Sequence, residues 1–141
     1  MSSQPSMRIL IVEDDRTSRI VLRRVLEGIG NLEVIEAEDG LKAWEMLDHG
    51  LLPDLCFLDI NMPRMNGLEL LKRVRADKRL ASLKVCFCSS VRDRQTIIQA
   101  ASYQPDYYVL KPYTRGLIQE QVQKLRGAAS TQPSPKPAAA V

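Results

Sequence analysis

Five short apolar runs, each followed by a segment of helical hydrophobic period, constrain this chain more than any other feature. Arg8-Ile9-Leu10-Ile11-Val12 is aliphatic and ends in Glu13-Asp14-Asp15, the pattern of a buried strand with carboxylates at its carboxyl end. Ile20, Val21, Val25 and Leu26, with Leu22 and Ile29 beside them, then recur at helical spacing until Gly28 and Gly30 supply stop signals. Leu32 to Ala37 reads as a second strand, and Ala43, Trp44, Leu47 and Leu51 as the stripe of a second helix closed by Gly50 and Pro53. Leu55-Cys56-Phe57-Leu58 leads directly into Asp59, followed by an Asn-Met-Pro turn and Gly67. A third helix is predicted from Gly67 to Asp77, a fourth strand over Leu83 to Cys88, and a helix through Arg94 to Ser102 that Pro105 cuts short. Tyr107 to Leu110 is a fifth strand, and Leu117, Ile118, Val122 and Leu125 mark a last helix. Repeated strand–helix units with right-handed crossovers predict one parallel sheet with helices on both faces, a doubly wound α/β architecture.

With 141 residues, 45% of them apolar, the chain has room for one domain whose core needs no disulfide or metal staple. Cys56, Cys86 and Cys88 all fall in predicted strands, so they are expected as small core residues in a reducing compartment. The single histidine, His49, is in another segment, which leaves Cys86-Phe87-Cys88 without the partners a zinc site needs. A net charge of +3 with basic residues dispersed among acids argues against direct nucleic-acid binding, which favours a clustered basic face. No apolar stretch approaches the length of a bilayer span, and Met1 to Ser6 is polar, so no membrane insertion and a cytoplasmic location are expected. The expected organisation is a disordered N-terminus at 1–6, one domain at 7–127, and a disordered Pro/Ala-rich tail or linker stub at 128–141.

In a parallel sheet the residues that follow the strands gather at one edge, where open α/β folds bind their ligands. Here four of the five strand ends bring reactive groups there: Glu13 and Asp14, then Asp59, then Ser89, then Lys111. Three converging carboxylates repel one another, and a hard divalent cation such as Mg²⁺ relieves that repulsion through oxygen ligands. The lysine and the hydroxyl are the groups that stabilise charge on a phosphoryl oxygen. An aspartate is also an established nucleophile for phosphoryl transfer. The set describes a carboxylate that accepts a phosphoryl group on a Mg²⁺ platform.

These motifs, Ile11-Val12-Glu13-Asp14-Asp15, Leu58-Asp59-Ile60-Asn61-Met62-Pro63 with Gly67, Ser89-Ser90 and Tyr108-Val109-Leu110-Lys111-Pro112, resemble those of the receiver domains of two-component response regulators, of the chemotaxis-regulator type, over roughly residues 7 to 126. The resemblance implies a flavodoxin-like sheet of strand order 2-1-3-4-5. It implies Asp59 as the phosphoacceptor, Asp14 and Asp59 with the backbone carbonyl of Asn61 as Mg²⁺ ligands, and Glu13 holding the ion through water. By the same resemblance Ser89 bonds the phosphoryl group, Lys111 pairs with it ahead of a cis bond to Pro112, and Tyr108 couples to Ser89 as the switch. The resemblance also implies that Asn61 and Val91 occupy positions that, in the family, modulate hydrolysis. The implied partners are a histidine kinase or phosphotransfer protein on one side and a target protein or missing output domain on the other, with a phosphorylation-dependent dimer left open.

Some residues depart from the commonest family pattern. Glu13 stands for Asp, Ser89 for Thr, and Tyr103-Gln104-Pro105-Asp106 for an Ala-Gly turn, which puts the shape of the fourth helix in question. Trp44 lies on the second helix's apolar stripe and reads as core. Two competing readings are weighed beside the switch. A Mg²⁺-dependent phosphatase with an aspartate nucleophile would put a second acid two residues after Asp59, where Asn61 stands, and would need a substrate cap. A non-phosphorylated interaction module would not require the complete acid, serine and lysine set.

Overall fold

The computed structural model describes residues 7–90, 94–111 and 114–128, without the side chains of residues 89, 94, 110, 127 and 128. The strands are β1 (Met7–Val12), β2 (Leu32–Ala37), β3 (Leu55–Asp59), β4 (Lys84–Ser89) and β5 (Tyr107–Leu110). The helices are α1 (Arg16–Ile29), α2 (Gly40–Asp48), α3 (Gly67–Ala76), α4 (Arg94–Ala100) and α5 (Arg115–Ala128). All strand pairs are parallel, in the order β2-β1-β3-β4-β5, the flavodoxin-like winding expected.

Alternation along the strands divides the core into two layers, because successive side chains of a strand point to opposite faces. Ile9 and Ile11, Leu55 and Phe57, Cys86 and Cys88, and Tyr107 and Val109 pack with Leu22 and Leu26 of α1 and with Ile118, Val122 and Leu125 of α5. Leu10 and Val12, Cys56 and Leu58, and Val85 and Phe87 pack on the other face with Ala43 and Leu47 of α2 and with Leu70, Leu71 and Val74 of α3. The central strand β3 is buried along its whole length. All three cysteines are free and buried. Burial in apolar surroundings pushes the Cys56 and Cys86 thiols well above their ordinary range, which keeps them unreactive.

The structure adjusts several local expectations. The buried stripe of α1 is Leu22 and Leu26, with Val25 and Ile29 packed beside them, while Ile20 and Val21 are 40% and 41% exposed. At 100° per residue, the positions in register with Leu22 and Leu26 exclude 20 and 21 from the inner face. Gly28 continues the helix, which ends at Gly30 with φ 87, the left-handed backbone that glycine tolerates at helix ends. Trp44 is half-buried against the α2–α3 core, with the Arg73 guanidinium 5.6 Å from its ring centroid. The predicted helix from Arg94 to Ser102 divides into α4 and a single 3-10 turn at Ala101–Tyr103.

Arg75 explains the unusual Tyr103 to Asp106 segment. From α3 its guanidinium donates to the carbonyls of Tyr103 at 3.0 Å, Gln104 at 2.8 Å and Leu83 at 2.8 Å, and to Asp106 Oδ2 at 3.2 Å. Asp106 Oδ2 also accepts from the Val85 amide at 2.8 Å. Gln104 takes the left-handed conformation (φ 55) that a glycine commonly supplies. A half-buried guanidinium thus supplies donors to the carbonyls of the turn.

Candidate functional site

The registers that build the sheet also build the site. Val12 lies beside Leu58, Asp59 beside Cys88, and Ser89 beside Leu110. Glu13, Asp59, Ser89 and Lys111 therefore stand at consecutive places along one edge. Glu13 and Asp59 are 1% and 6% exposed, whereas Asp14 is exposed. One oxygen from each of Glu13, Asp14 and Asp59 lies within 4.8 Å of the others. An all-oxygen set of this kind suits a hard cation such as Mg²⁺, and receiver domains in general bind that ion. Among the described residues this is the one such group of potential ligands.

The Lys111 ammonium bridges the two buried carboxylates, donating to Asp59 Oδ1 and to Glu13 Oε1 at 2.8 Å each. Glu13 Oε2 accepts from the Asp15 amide at 3.1 Å. Burial, ahead of every other influence, pushes the Asp59 carboxyl up to about 7; Lys111 opposes the rise and the Glu13 charge adds to it. For Lys111, burial pulls downward, but the hydrogen bonds to Asp59 and Glu13 outweigh it and hold the ammonium above its ordinary range. The site therefore carries more carboxylate than its single bridging ammonium balances.

Glycine at position 67 lets α3 start against the end of β3. A Cβ there would lie 2.3 Å from the Asp59 carbonyl oxygen and 3.0 Å from Ile60 Cα, and the Gly67 amide donates to the Ile60 carbonyl at 2.8 Å. Asn66 and Glu69 close a reciprocal capping box on the same helix, which satisfies two amides left open at its start. Asp15 caps α1 by accepting from the Ser18 amide at 2.8 Å, so the third acid of the first acidic run serves the helix.

Of the other residues singled out in the sequence, Tyr108 is half-buried, with its ring 6.4 Å from that of Phe87, and burial raises its phenol. Asn61 is exposed on the turn after β3. Ser89 closes β4, but its side chain, Val91 and Pro112 lie outside what the structure describes. Four residues that sequence reasoning left aside also bear on the site. Arg19 Nη1 donates to the Glu13 carbonyl at 2.7 Å and its Nε to Glu36 at 2.9 Å. Arg64, left-handed at φ 68, reaches the buried Asp39 at 2.6 Å. That backbone costs a non-glycine residue on the order of 1 kcal/mol. Asp39-Gly40 before a helical run is a legible N-cap signal, whereas nothing in the sequence announces the arginines' targets.

A parallel sheet wound in this order, with a lysine-bridged acidic cluster at its carboxyl edge, defines a class. The chain belongs to the response regulator receiver domain family, whose model matches residues 9–123, and is thus a receiver domain of two-component signalling. It is similar to the chemotaxis protein CheY of Pseudomonas aeruginosa, 40% identical over 119 residues that cover 84% of this chain and 95% of that protein. It is also similar to the chemotaxis protein CheY1 of Helicobacter pylori strain J99, 34% identical over 86% of this chain and 98% of that protein. Among solved structures, the receiver domain of a signal transduction histidine kinase from Syntrophus aciditrophicus shares the fold with a TM-score of 0.81, at 24% identity over 93% of this chain and 98% of that one. Among the described residues no helix is long and apolar enough to cross a membrane.

Proposed function

We propose that this chain is a phosphorylation-controlled switch in which Asp59 accepts a phosphoryl group from a histidine kinase or phosphotransfer protein. The observation that carries the reading is the Lys111 ammonium set 2.8 Å from both Asp59 and Glu13, with Asp14 in the same cluster. Asp14, Asp59 and the Asn61 carbonyl would hold Mg²⁺, with Glu13 behind them. The ion's contribution is to offset the carboxylate charge and the charge on the phosphoryl oxygens.

The rest falls to the chain's own groups. Asp59 attacks as the carboxylate, so with its carboxyl pushed up to about 7 a proton must leave to solvent before it acts as a nucleophile. Its oxygen forms the bond to phosphorus as the donor's bond to phosphorus breaks, and the donor leaves with that electron pair. Lys111, already in contact with Asp59, pairs with the new phosphoryl oxygens, and the Ser89 hydroxyl donates to another. Drawing Ser89 toward the phosphoryl group opens space toward Tyr108, and α4, β5 and α5 change their affinity for a target protein or an attached output domain. Such a change arises only from contacts that differ between the two states. The same site catalyses its own dephosphorylation, and the signalling unit spans residues 7–127.

Hydrogen exchange tests the switch. Addition of Mg²⁺ with beryllofluoride, an acyl-phosphate mimic, is expected to alter protection in β4, α4 and β5 of the wild type and to leave Asp59→Asn unaltered. A wild type that binds the mimic with no change in exchange beyond the cluster would overturn the switch reading.

A further inference from the structure

The end of β2 brings no group into the acidic cluster, yet its acids meet two loops that do. Glu36, on β2, accepts from Arg19 Nε at 2.9 Å, and the same guanidinium donates to the Glu13 carbonyl at 2.7 Å. Arg23 pairs with the second oxygen of Glu36. Asp39, two residues past β2 and 1% exposed, takes the Lys42 amide on Oδ1 at 2.8 Å and Arg64 on Oδ2 at 2.6 Å. Arg64 sits in the loop between Asp59 and α3. Beside it the Met65 carbonyl lies so close to Gly40 that a Cβ there would come within 2.2 Å.

We propose that Glu36–Arg19 and Asp39–Arg64 are positioning pairs that set the spacing of the oxygen ligands for Mg²⁺. The proposal rests on the reading of the cluster as a Mg²⁺ site. One pair fixes the main chain at Glu13, from which Asp14 follows; the other fixes the loop that carries the Asn61 carbonyl. The alternative is that both pairs only stabilise the fold, and the backbone of Arg64 argues against it. At φ 68 a glycine would be unstrained, so an arginine there gives up local stability and gains a tether. Helix capping by Asp39 needs only Oδ1, which leaves Oδ2 to the loop. Groups that orient metal ligands from behind in this way commonly alter affinity 10- to 100-fold when removed.

Calorimetric Mg²⁺ titration beside urea unfolding in EDTA separates the two roles. Arg64→Gly relieves the strained backbone while removing the tether, and Asp39→Asn keeps a capping oxygen while removing the charge. Asp39→Asn is expected to unfold near the wild-type midpoint and Arg64→Gly below it, because the buried Asp39 carboxylate then keeps only the Lys42 amide, while both bind Mg²⁺ about tenfold more weakly. The double variant should be no weaker than either single one, and Arg64→Lys should recover part of the loss. Arg19→Gln tests the other loop and should weaken Mg²⁺ binding in the same direction. Unchanged Mg²⁺ affinity in Arg64→Gly and Arg19→Gln, with the wild type binding the ion, would overturn the positioning role alone. A wild type that binds no Mg²⁺ would overturn both this role and the reading of the cluster.

Discussion

Replacing Asp59 by Asn is expected to make the metal-free protein more stable at and above neutral pH, although it removes the residue on which the function turns. The Asp59 carboxyl is raised from 3.8 to about 7 in the fold, so the native state keeps a proton that the unfolded chain releases. Stability then falls as the pH rises between those two values, because the unfolded state binds fewer protons there. The penalty is absent below about pH 4, complete above about pH 7, and bounded at 1.4 kcal/mol for each unit of displacement. With Asn at 59, Lys111 keeps Glu13 and the crowding of carboxylates is relieved. A gain on the order of 2 kcal/mol at pH 8 is expected, shrinking toward pH 5. Urea unfolding in EDTA across that range measures it, and Mg²⁺ should narrow the difference by stabilising the wild type alone. A variant no more stable than the wild type at pH 8 would contradict the electrostatic account of the cluster.

The opposite change is expected at Lys111. Lys111→Met keeps an unbranched apolar stem but removes the ammonium that touches Glu13 and Asp59. Removing one partner of a buried ion pair leaves charge without compensation and costs about 3–5 kcal/mol in well-buried cases. With the lysine side chain 22% exposed, about 2–3 kcal/mol is the fitting scale. The loss should be largest above neutral pH, since the Asp59 carboxyl takes up a proton below it, and Mg²⁺ should recover more stability in this variant than in the wild type. Parallel unfolding curves with EDTA and with Mg²⁺ decide the point. Equal stability of variant and wild type in EDTA would show that Lys111 does not offset the cluster's charge.

Much of this architecture was legible because strand and helix periods alternate cleanly. Leu55 to Leu58 could be read as a buried strand from its unbroken apolar run, and that reading put Asp59 at the sheet's edge. What the period did not resolve is instructive. Ile20 and Val21 are as apolar as Leu22 and Leu26 but face outward, since an apolar run along a helix does not say which of its members meets the sheet. The Tyr103 to Asp106 turn depends on Arg75, some 30 residues earlier, which donates to its carbonyls. No local pattern in the sequence marks that arginine. Arg19 likewise reads as a solvated surface residue until the register of β1 on β2 brings Glu36 within its reach. Long polar side chains choose partners by tertiary proximity, and the one-dimensional pattern carries little of that information.

The claim that Asp59 is the phosphoacceptor is tested most directly by intact mass after incubation with Mg²⁺ and acetyl phosphate, stopped by rapid quench. The wild type is expected to gain one phosphoryl group, to gain none in EDTA, and to lose the gain in Asp59→Asn. A phosphoryl gain that persists in Asp59→Asn, or a wild type that binds Mg²⁺ and gains nothing at the earliest quench, would contradict it.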